Sequence, residues 1–362
     1  MYIQTKSNLF ALLKEGDSQR LYNNNFWHLK DNCRYKSLFT AHQRLHVENP
    51  VYKTKNKTVK TDNFKDWLVG ITDGDGCFSF SVNKSSKEKI PIWNCTFKIA
   101  QSKYNLRLLH YIKKNLGIGK INDKSGKSMA EYRIRDRKML YKYIIPIFDK
   151  HPLYSTKQFY YLRWKKALQI LENKNYTLFE KNKQLSLLKQ ETPKDSYISP
   201  TWEKENPSDS WVYGFTEAEG SFFLTLKGET SSLSGGKQRI VHSFGFTQKY
   251  DYTILQFLRT KFHIPAKVTL KGDFIYKLET SSFRSLQKIK IFFCKKLKGM
   301  KSVEYRIWAR SFKDKSIFEK LLKVQSQMRL LKQKDPSFSF EGNAKHRSAY
   351  FVGAKHEKGE DF

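Results

Sequence analysis

The sequence predicts an α+β protein built as a pseudo-twofold tandem repeat, each half running α-β-β-α-β-β-α. Three observations carry this. A short helical motif occurs twice with its glycines, threonine, acids and phenylalanine in one frame. An alternating strand ending in glutamine follows each copy. A helix and then a tyrosine-containing strand follow in both halves. Self-similarity at a fixed interval is the sequence signature of a duplicated structural unit.

The motif reads WLVGITDGDGCFSF at 67–80 and WVYGFTEAEGSFF at 211–223. Its frames match as Trp67/Trp211, Gly70/Gly214, Thr72/Thr216, Asp73/Glu217, Asp75/Glu219, Gly76/Gly220 and Phe78/Phe222. A polar, turn-like insert follows each copy, Asn83 to Lys89 and Gly228 to Lys237. The alternating strands are NCTFKIAQSK (94–103) and HSFGFTQKY (242–250). Leucines and aromatics at helical spacing predict helices over Asn105 to Leu116 and Thr253 to Phe262. A short strand and then AEYRIR (130–135) or IYKLE (275–279) come next, and further helical patterns close each half. The expected organisation is an N-terminal basic extension (1–61), a first half (62–171), a linker (172–208), a second half (209–330) and a polar tail (331–362). The linker contains Pro193, Pro200 and Pro207 and reads as partly helical around Phe179 to Leu188.

Composition narrows the function classes. Lys and Arg number 68 against 34 Asp and Glu, a formal net charge of +34. Solubility alone does not call for so large a surplus. A polyanion partner does, with nucleic acid foremost. Hydrophobic residues at 39% and aromatics at 15% exclude a disordered basic tail. The cysteines, Cys33, Cys77, Cys95 and Cys294, contain no C-x-x-C pair, which argues against a zinc ribbon or thioredoxin-type site. His42 and His46 have i, i+4 spacing but no third ligand nearby in the sequence. No stretch approaches the roughly 18 apolar residues of a membrane span. Met1 to Lys14 has no apolar core and precedes Glu15 and Asp17, so it reads as a poor targeting peptide.

Read as a helix, Trp67 to Gly76 puts Gly70 and Gly74 on one face, and Gly214 and Ala218 repeat that pattern. Small residues at this spacing let two helix backbones approach closely. Trp67, Leu68 and Ile71, and likewise Trp211 and Phe215, are expected to pack into their own halves. Gly76 and Gly220 are expected to be left-handed C-terminal glycines. Side-by-side pairing would bring Asp75 and Glu219 together at two negative helix ends, where they repel. A divalent cation relieves that repulsion, and hard oxygen ligands suit Mg²⁺. Such an acid pair fits hydrolysis of two phosphodiesters in a duplex. A packing motif with acidic caps is the competing reading, but it leaves both acids in an unfavourable place.

Lys157 follows Asp75 by 82 residues, and Lys301 follows Glu219 by 82. Either lysine could stabilise phosphate charge or tune an attacking water. Gln101 and Gln248 also align, 26 and 29 residues after the acids, although a glutamine at a strand end equally fits an ordinary surface position. Along the strands, alternation turns Cys95, Phe97 and Ile99 inward and Asn94, Thr96 and Lys98 outward. It turns Ile240, His242, Phe244 and Phe246 inward and Arg239, Ser243 and Thr247 outward. Arg133 and Arg135 are matched to Lys277 and Glu279. A polar, basic sheet face suits the DNA major groove, and a solvated sheet face is the plainer alternative.

These motifs resemble those of two-repeat LAGLIDADG homing endonucleases of the organellar intron-encoded type, with signatures at Leu68 to Gly76 and Val212 to Gly220. The resemblance covers roughly residues 62–325. It implies two antiparallel sheets forming a saddle over double-stranded DNA. It also implies Mg²⁺-dependent double-strand cleavage of a long asymmetric site, by a monomer with internal pseudo-symmetry and no membrane. By the same resemblance, Asp75 and Glu219 match the metal-binding catalytic acids, and the Gly74 and Ala218 carbonyls match the backbone ligands beside them. Lys157 and Lys301 match lysines near the scissile phosphates, and Gln101 and Gln248 match polar residues that position water. Thr72 and Thr216 depart from the usual motif away from the chemistry. Some members of this family bind host intron RNA as splicing maturases, so that activity, alone or alongside cleavage, stays open, as does an inactive DNA-binding protein. Expected placement is the mitochondrion, with the chloroplast possible, since the chain is rich in Lys, Asn and Tyr as an AT-rich genome would encode.

Overall fold

The computed structural model describes residues 64–82, 91–123, 128–228 and 238–333. The N-terminal extension with Cys33, His42 and His46, the insert at 83–89, all of the second insert but Gly228, and the tail beyond 333 lie outside the described residues.

The first half opens with α1 (Phe64–Asp75), which runs without a break into β1 (Gly76–Val82). Then come β2 (Trp93–Ser102), α2 (Leu106–Leu116), β3 (Lys120–Asn122) and β4 (Met129–Ile134). Two helical stretches close the half. The first is α3 (Arg137–Met139), joined by a π-helical turn to α4 (Ile145–Lys150), and the second is α5 (Lys157–Glu172). The connecting segment carries α6 (Leu178–Gln190), started by a reciprocal Thr177–Glu180 capping box.

The second half repeats the plan as α7 (Asp209–Glu219), β5 (Gly220–Lys227), β6 (Arg239–Lys249), α8 (Tyr252–Lys261), β7 (Thr269–Leu270) and β8 (Ile275–Thr280). Helices α9 (Phe283–Phe292), α10 (Lys301–Arg310) and α11 (Phe318–Gln333) complete it. The two antiparallel four-stranded sheets have the same order, β1-β2-β4-β3 and β5-β6-β8-β7.

The two cores are built from matching aromatic side chains. Phe78 meets Phe97, Phe148, Tyr161 and Trp164 with ring centroids 5.1–5.3 Å apart. Phe222 meets Phe244, Phe293, Tyr305 and Trp308 at 4.8–5.7 Å. These rings cover the inner face of each sheet, and offset or edge-on contacts at such distances add to their area burial.

The two motif helices pack backbone to backbone. A Cβ on Gly70 would lie 2.0 Å from the Trp211 carbonyl oxygen, and one on Gly214 would lie 2.0 Å from that of Trp67. A Cβ on Gly74 would sit 2.2 Å from the Cβ of Ala218, so the pair tolerates one methyl between them and not two.

Two expectations about these helices are corrected. Gly220 has φ −73° and ψ 147°, an extended residue, and Gly76 also lies outside the left-handed region. Both are glycine because a Cβ would strike the Thr72 or Thr216 methyl, at 2.3 and 2.4 Å, where each helix turns straight into a strand. Trp211 does not stay in its own half. It stacks on Phe215 but also packs edge-on against Tyr154 of the first half, centroids 5.4 Å apart. Trp67 does keep to its half, against Phe64 and Tyr111.

The strand registers correct a third expectation. Gly76 pairs with Ile99 and Gly220 with Phe246, so Gln101 and Gln248 occupy equivalent places. Ile99 pairs with Tyr132 and Phe246 with Leu278. Arg133 is therefore equivalent to Glu279, and Glu131 to Lys277. A two-residue shift keeps the strand faces and so escapes notice in the alternation pattern.

His242, inside the second core, shares a 2.7 Å hydrogen bond with Ser311 Oγ and stacks on Phe312. Burial, aided by the Lys290 charge, pushes its imidazole down to about 4 from 6.5. The folded protein therefore binds fewer protons than the unfolded chain between those values, and stability falls as pH is lowered through that window. His242→Phe, which keeps the ring stack, is expected to flatten this part of the stability–pH curve in denaturant unfolding. Parallel curves for the two proteins would remove His242 as the cause. Gly214→Ala is expected to cost at least about 2 kcal/mol in the same measurement, because neither backbone can yield.

Candidate active site

Each motif supplies two acids, two residues apart, and they have different surroundings. Asp73 is fully buried. Its carboxylate accepts hydrogen bonds from the Tyr154 and Ser155 amides at 3.1 and 2.9 Å, from Ser155 Oγ at 2.5 Å and from Trp211 Nε1 at 2.7 Å. Burial pushes it up to about 6 even though the four donors pull the other way. Glu217 does the same work in the second half, accepting from the Lys298 and Gly299 amides. These carboxylates hold the turns that start α5 and α10, and so place Lys157 and Lys301. The shared interval of 82 residues is also the separation of Asp73 from Ser155 and of Glu217 from Gly299.

Asp75 and Glu219 are the last residues of α1 and α7. Glu219 Oε1 is 3.5 Å from the point where a Gly74 Cβ would stand, so the acids gather where the two helix ends abut. Gln101 Nε2 donates to Asp75 Oδ2 at 2.5 Å. Lys157 Nζ donates to the Gly74 carbonyl, the atom expected to be a metal ligand. Burial raises Asp75 above the usual carboxylate range, opposed by Lys157, Gln101 and Lys301. Glu219 is pushed up to about 7, first by burial and then by the Asp75 charge, against the pull of Lys157 and Lys301. Burial lowers Lys157, opposed most by Asp75. Burial is the main cause at both acids, the Asp75 charge adds to it at Glu219, and the lysines oppose it.

Asp75, Glu219, Gly74, Ala218, Gln101, Lys157 and Lys301 thus come together. Gln248 differs, since its Nε2 donates to Asp251 Oδ2 at 3.1 Å rather than to Glu219. Asp251 and Asn105 were missed in the sequence, as were the anchoring roles of Asp73 and Glu217. For the anchors a signal existed, because the motif alignment had already paired them.

Of the outward sheet residues, Asn94 and Lys98 are partly exposed, and Arg135, Arg239 and Thr247 are exposed. Glu131 lies within 3.8 Å of Lys98 and 3.1 Å of Arg133, and Glu279 within 2.7 Å of Lys277. The face thus carries ordered basic groups held by interleaved acids. Thr96 and Ser243 are corrections, being only 8% and 1% exposed. Ser243 Oγ is covered by Thr225 and Ser281 hydroxyls at 3.1 and 3.0 Å, so alternation gave its side correctly but not its access.

One chain supplies both members of the acid pair, each from its own copy of a single motif. The chain belongs to the LAGLIDADG endonuclease family, whose sequence pattern matches residues 68–168 and 212–312. It is 40% identical over 278 residues to the Probable intron-encoded endonuclease Cox1-I1b of Schizosaccharomyces pombe, spanning 75% of this chain and 70% of that one. Similarity to Probable intron-encoded endonuclease 4 of Neurospora crassa is 27% over 222 residues, 54% of this chain and about a third (35%) of that longer one. Among solved structures, meganuclease I-SmaMI bound to uncleaveable DNA matches with a TM-score of 0.61 and 26% identity, over 74% of this chain and 95% of that one. I-SmaMI bound to its uncleaved target with calcium ions matches with a TM-score of 0.60 and 26% identity, over 74% and 97%.

Asp73→Asn turns an amide toward donors that now meet a carboxylate. We expect it to lose about 2–4 kcal/mol of stability in denaturant unfolding. An unchanged unfolding midpoint would show that the turn before α5 stands without its anchor.

Proposed function

We propose that the protein is a sequence-specific homing endonuclease. It makes a Mg²⁺-dependent double-strand break in a long, asymmetric DNA site and so promotes the mobility of its host intron. The observation that carries this reading is the gathering of Asp75 and Glu219 at two abutting helix ends, with lysines around them. The relatives' names, intron-encoded endonucleases, support the intron connection. A further relative, 31% identical over 180 residues but matched over only 34% of its length, is Uncharacterized mitochondrial protein RF1 of Saccharomyces cerevisiae, which supports a mitochondrial site of action.

The donor set fits a hard cation. Among the described residues no three His, Cys, Asp or Glu side chains group as a metal cage. Two carboxylates and nearby backbone carbonyls would hold Mg²⁺ with substrate phosphate completing the shell, which is how that ion is usually bound. When bound, it supplies charge stabilisation at the phosphate and a more acidic water. Asp75 and Glu219 would hold the ion, whose charge would favour ionisation of both buried carboxylates. Lys157 and Lys301 place positive charge against the phosphates. Gln101, fixed on Asp75, offers hydrogen bonds that orient water. On the sheets, Lys98, Arg133, Arg135, Arg239 and Lys277 contact phosphates and base edges, Asn94 and Thr247 adding polar contacts.

The test is incubation with a DNA fragment spanning the intronless insertion site of the host gene, with Mg²⁺, with EDTA, and with Asp75→Asn and Glu219→Gln. Cleavage is expected only with Mg²⁺, and each variant should lose roughly a thousandfold or more in rate while retaining DNA binding. A variant that cuts both strands at the wild-type rate would overturn the shared acid site. Tight binding to unspliced intron RNA with no DNA cut would favour a maturase instead.

A further inference from the structure

The two halves share one more constellation, and there the residues differ in chemistry. Asn105 ends the 3₁₀ turn that follows β2, and Asp251 stands just before α8. Both are partly or wholly buried, and both reach across into the opposite half. Asn105 Oδ1 accepts from the backbone amide of Met300, the residue before Lys301, at 2.8 Å. Asp251 Oδ1 accepts from the amide and hydroxyl of Thr156, the residue before Lys157, at 2.6 and 2.7 Å. Each also bonds the glutamine of its own half.

The direction of each relay follows from an atom that cannot be reversed. The Met300 N–H requires Asn105 to present its oxygen, so its NH₂ faces the other way. That NH₂ donates to Gln101 Oε1 at 2.8 Å, which turns Gln101 Nε2 onto Asp75 at 2.5 Å. Asp251 has no donor when ionised. With one oxygen on Thr156, its other oxygen can only accept, so Gln248 must spend its NH₂ there. The end of the amide that Gln248 turns away from Asp251 is then its carbonyl oxygen, which cannot bond an ionised Glu219, and among the described residues its second N–H makes no bond to that acid either. The equivalent register of Gln101 and Gln248 excludes strand slippage as the cause. The approach to Asp251 is itself specialised, since Tyr250 is held at φ 69°, an uncommon conformation for a tyrosine.

The geometry points to Asn105 and Asp251 as positioning residues that join each half's glutamine to the other half's lysine and make the two acid–glutamine arms inequivalent. Of the two acids, only Asp75 receives a side-chain amide donor among the described residues. This rests on the endonuclease reading for its consequence, which is that the two strands are cut by chemically different arms and at different rates. Exchanging the one residue, Asp251→Asn, supplies the missing donor, turns Gln248 toward Glu219 and makes the arms alike. The Asn oxygen keeps the Thr156 bond, so the lysine turn is preserved.

Two measurements test this. The first needs neither metal nor DNA. In ¹⁵N spectra of the free protein, with side-chain amides assigned by Gln→Glu variants, the Gln101 NH₂ signals should move on Asp75→Asn. The Gln248 signals should not move on Glu219→Gln. In the Asp251→Asn background they should. Gln248 signals that already respond in the wild-type background, or that still fail to respond with Asp251→Asn, would overturn the relay. The second follows each end-labelled strand in single-turnover cleavage at saturating DNA. Asp251→Asn is expected to change the ratio of the two strand rates by about tenfold, with DNA affinity little altered. Asn105→Asp should change the ratio through the other arm. An unchanged ratio in both variants would overturn the catalytic consequence. A wild-type protein that cuts no DNA would instead overturn the endonuclease reading, and the amide signals would still decide the relay.

Discussion

The contact on which the molecule depends is the approach of two helix backbones at Gly70 and Gly214. Each glycine faces the carbonyl of the tryptophan that opens the other motif, with no room for a methyl group between. Close backbone contact gains dispersion energy over many atom pairs, and a side chain at either glycine would hold the two helices apart. The seam also sets where both helices end. Because α1 and α7 turn directly into β1 and β5, spacing at the glycines becomes spacing between Asp75 and Glu219, and beyond them between the two sheets.

A second constraint ties the lysines to that seam. On a helix, residues two apart point to nearly opposite sides. Asp73 therefore turns into the protein when Asp75 turns to the site, and Glu217 and Glu219 divide in the same way. The inward acid is held by backbone amides of the turn before the lysine helix. One motif thus sets both an acid and, through its buried neighbour, a distant cation. Trp211 bonding to Asp73 of the other half joins the two systems, so disturbance at the seam reaches the lysines as well.

Much of this was legible in the chain. The duplicated motif, the alternating strands and the 82-residue interval specify two like halves with acids and lysines in matching places. The readings that failed did so for local reasons. Gly76 and Gly220 follow helices, which usually means a left-handed cap, but here the next residue is already in a strand and the neighbour that matters is a threonine methyl. Ser243 lies on the outer side of its strand, yet two hydroxyls from adjacent segments cover it. Aligning the two strands on Tyr132 and Tyr276 matches Arg133 to Lys277, whereas hydrogen-bond register matches it to Glu279.

By itself, the sequence determined the fold class, the tandem symmetry, the pairing of the acids and the lysines aligned with them. Those features are written in periodicity and spacing, which survive without coordinates. The tertiary structure alone decided what the other acid of each motif holds, which glutamine meets an acid, and which outward residues have access. Each of those depends on atoms brought in from a distant part of the chain. Asn105 and Met300 are 195 residues apart, and no local pattern could show that a single backbone amide there orients the glutamine beside Asp75.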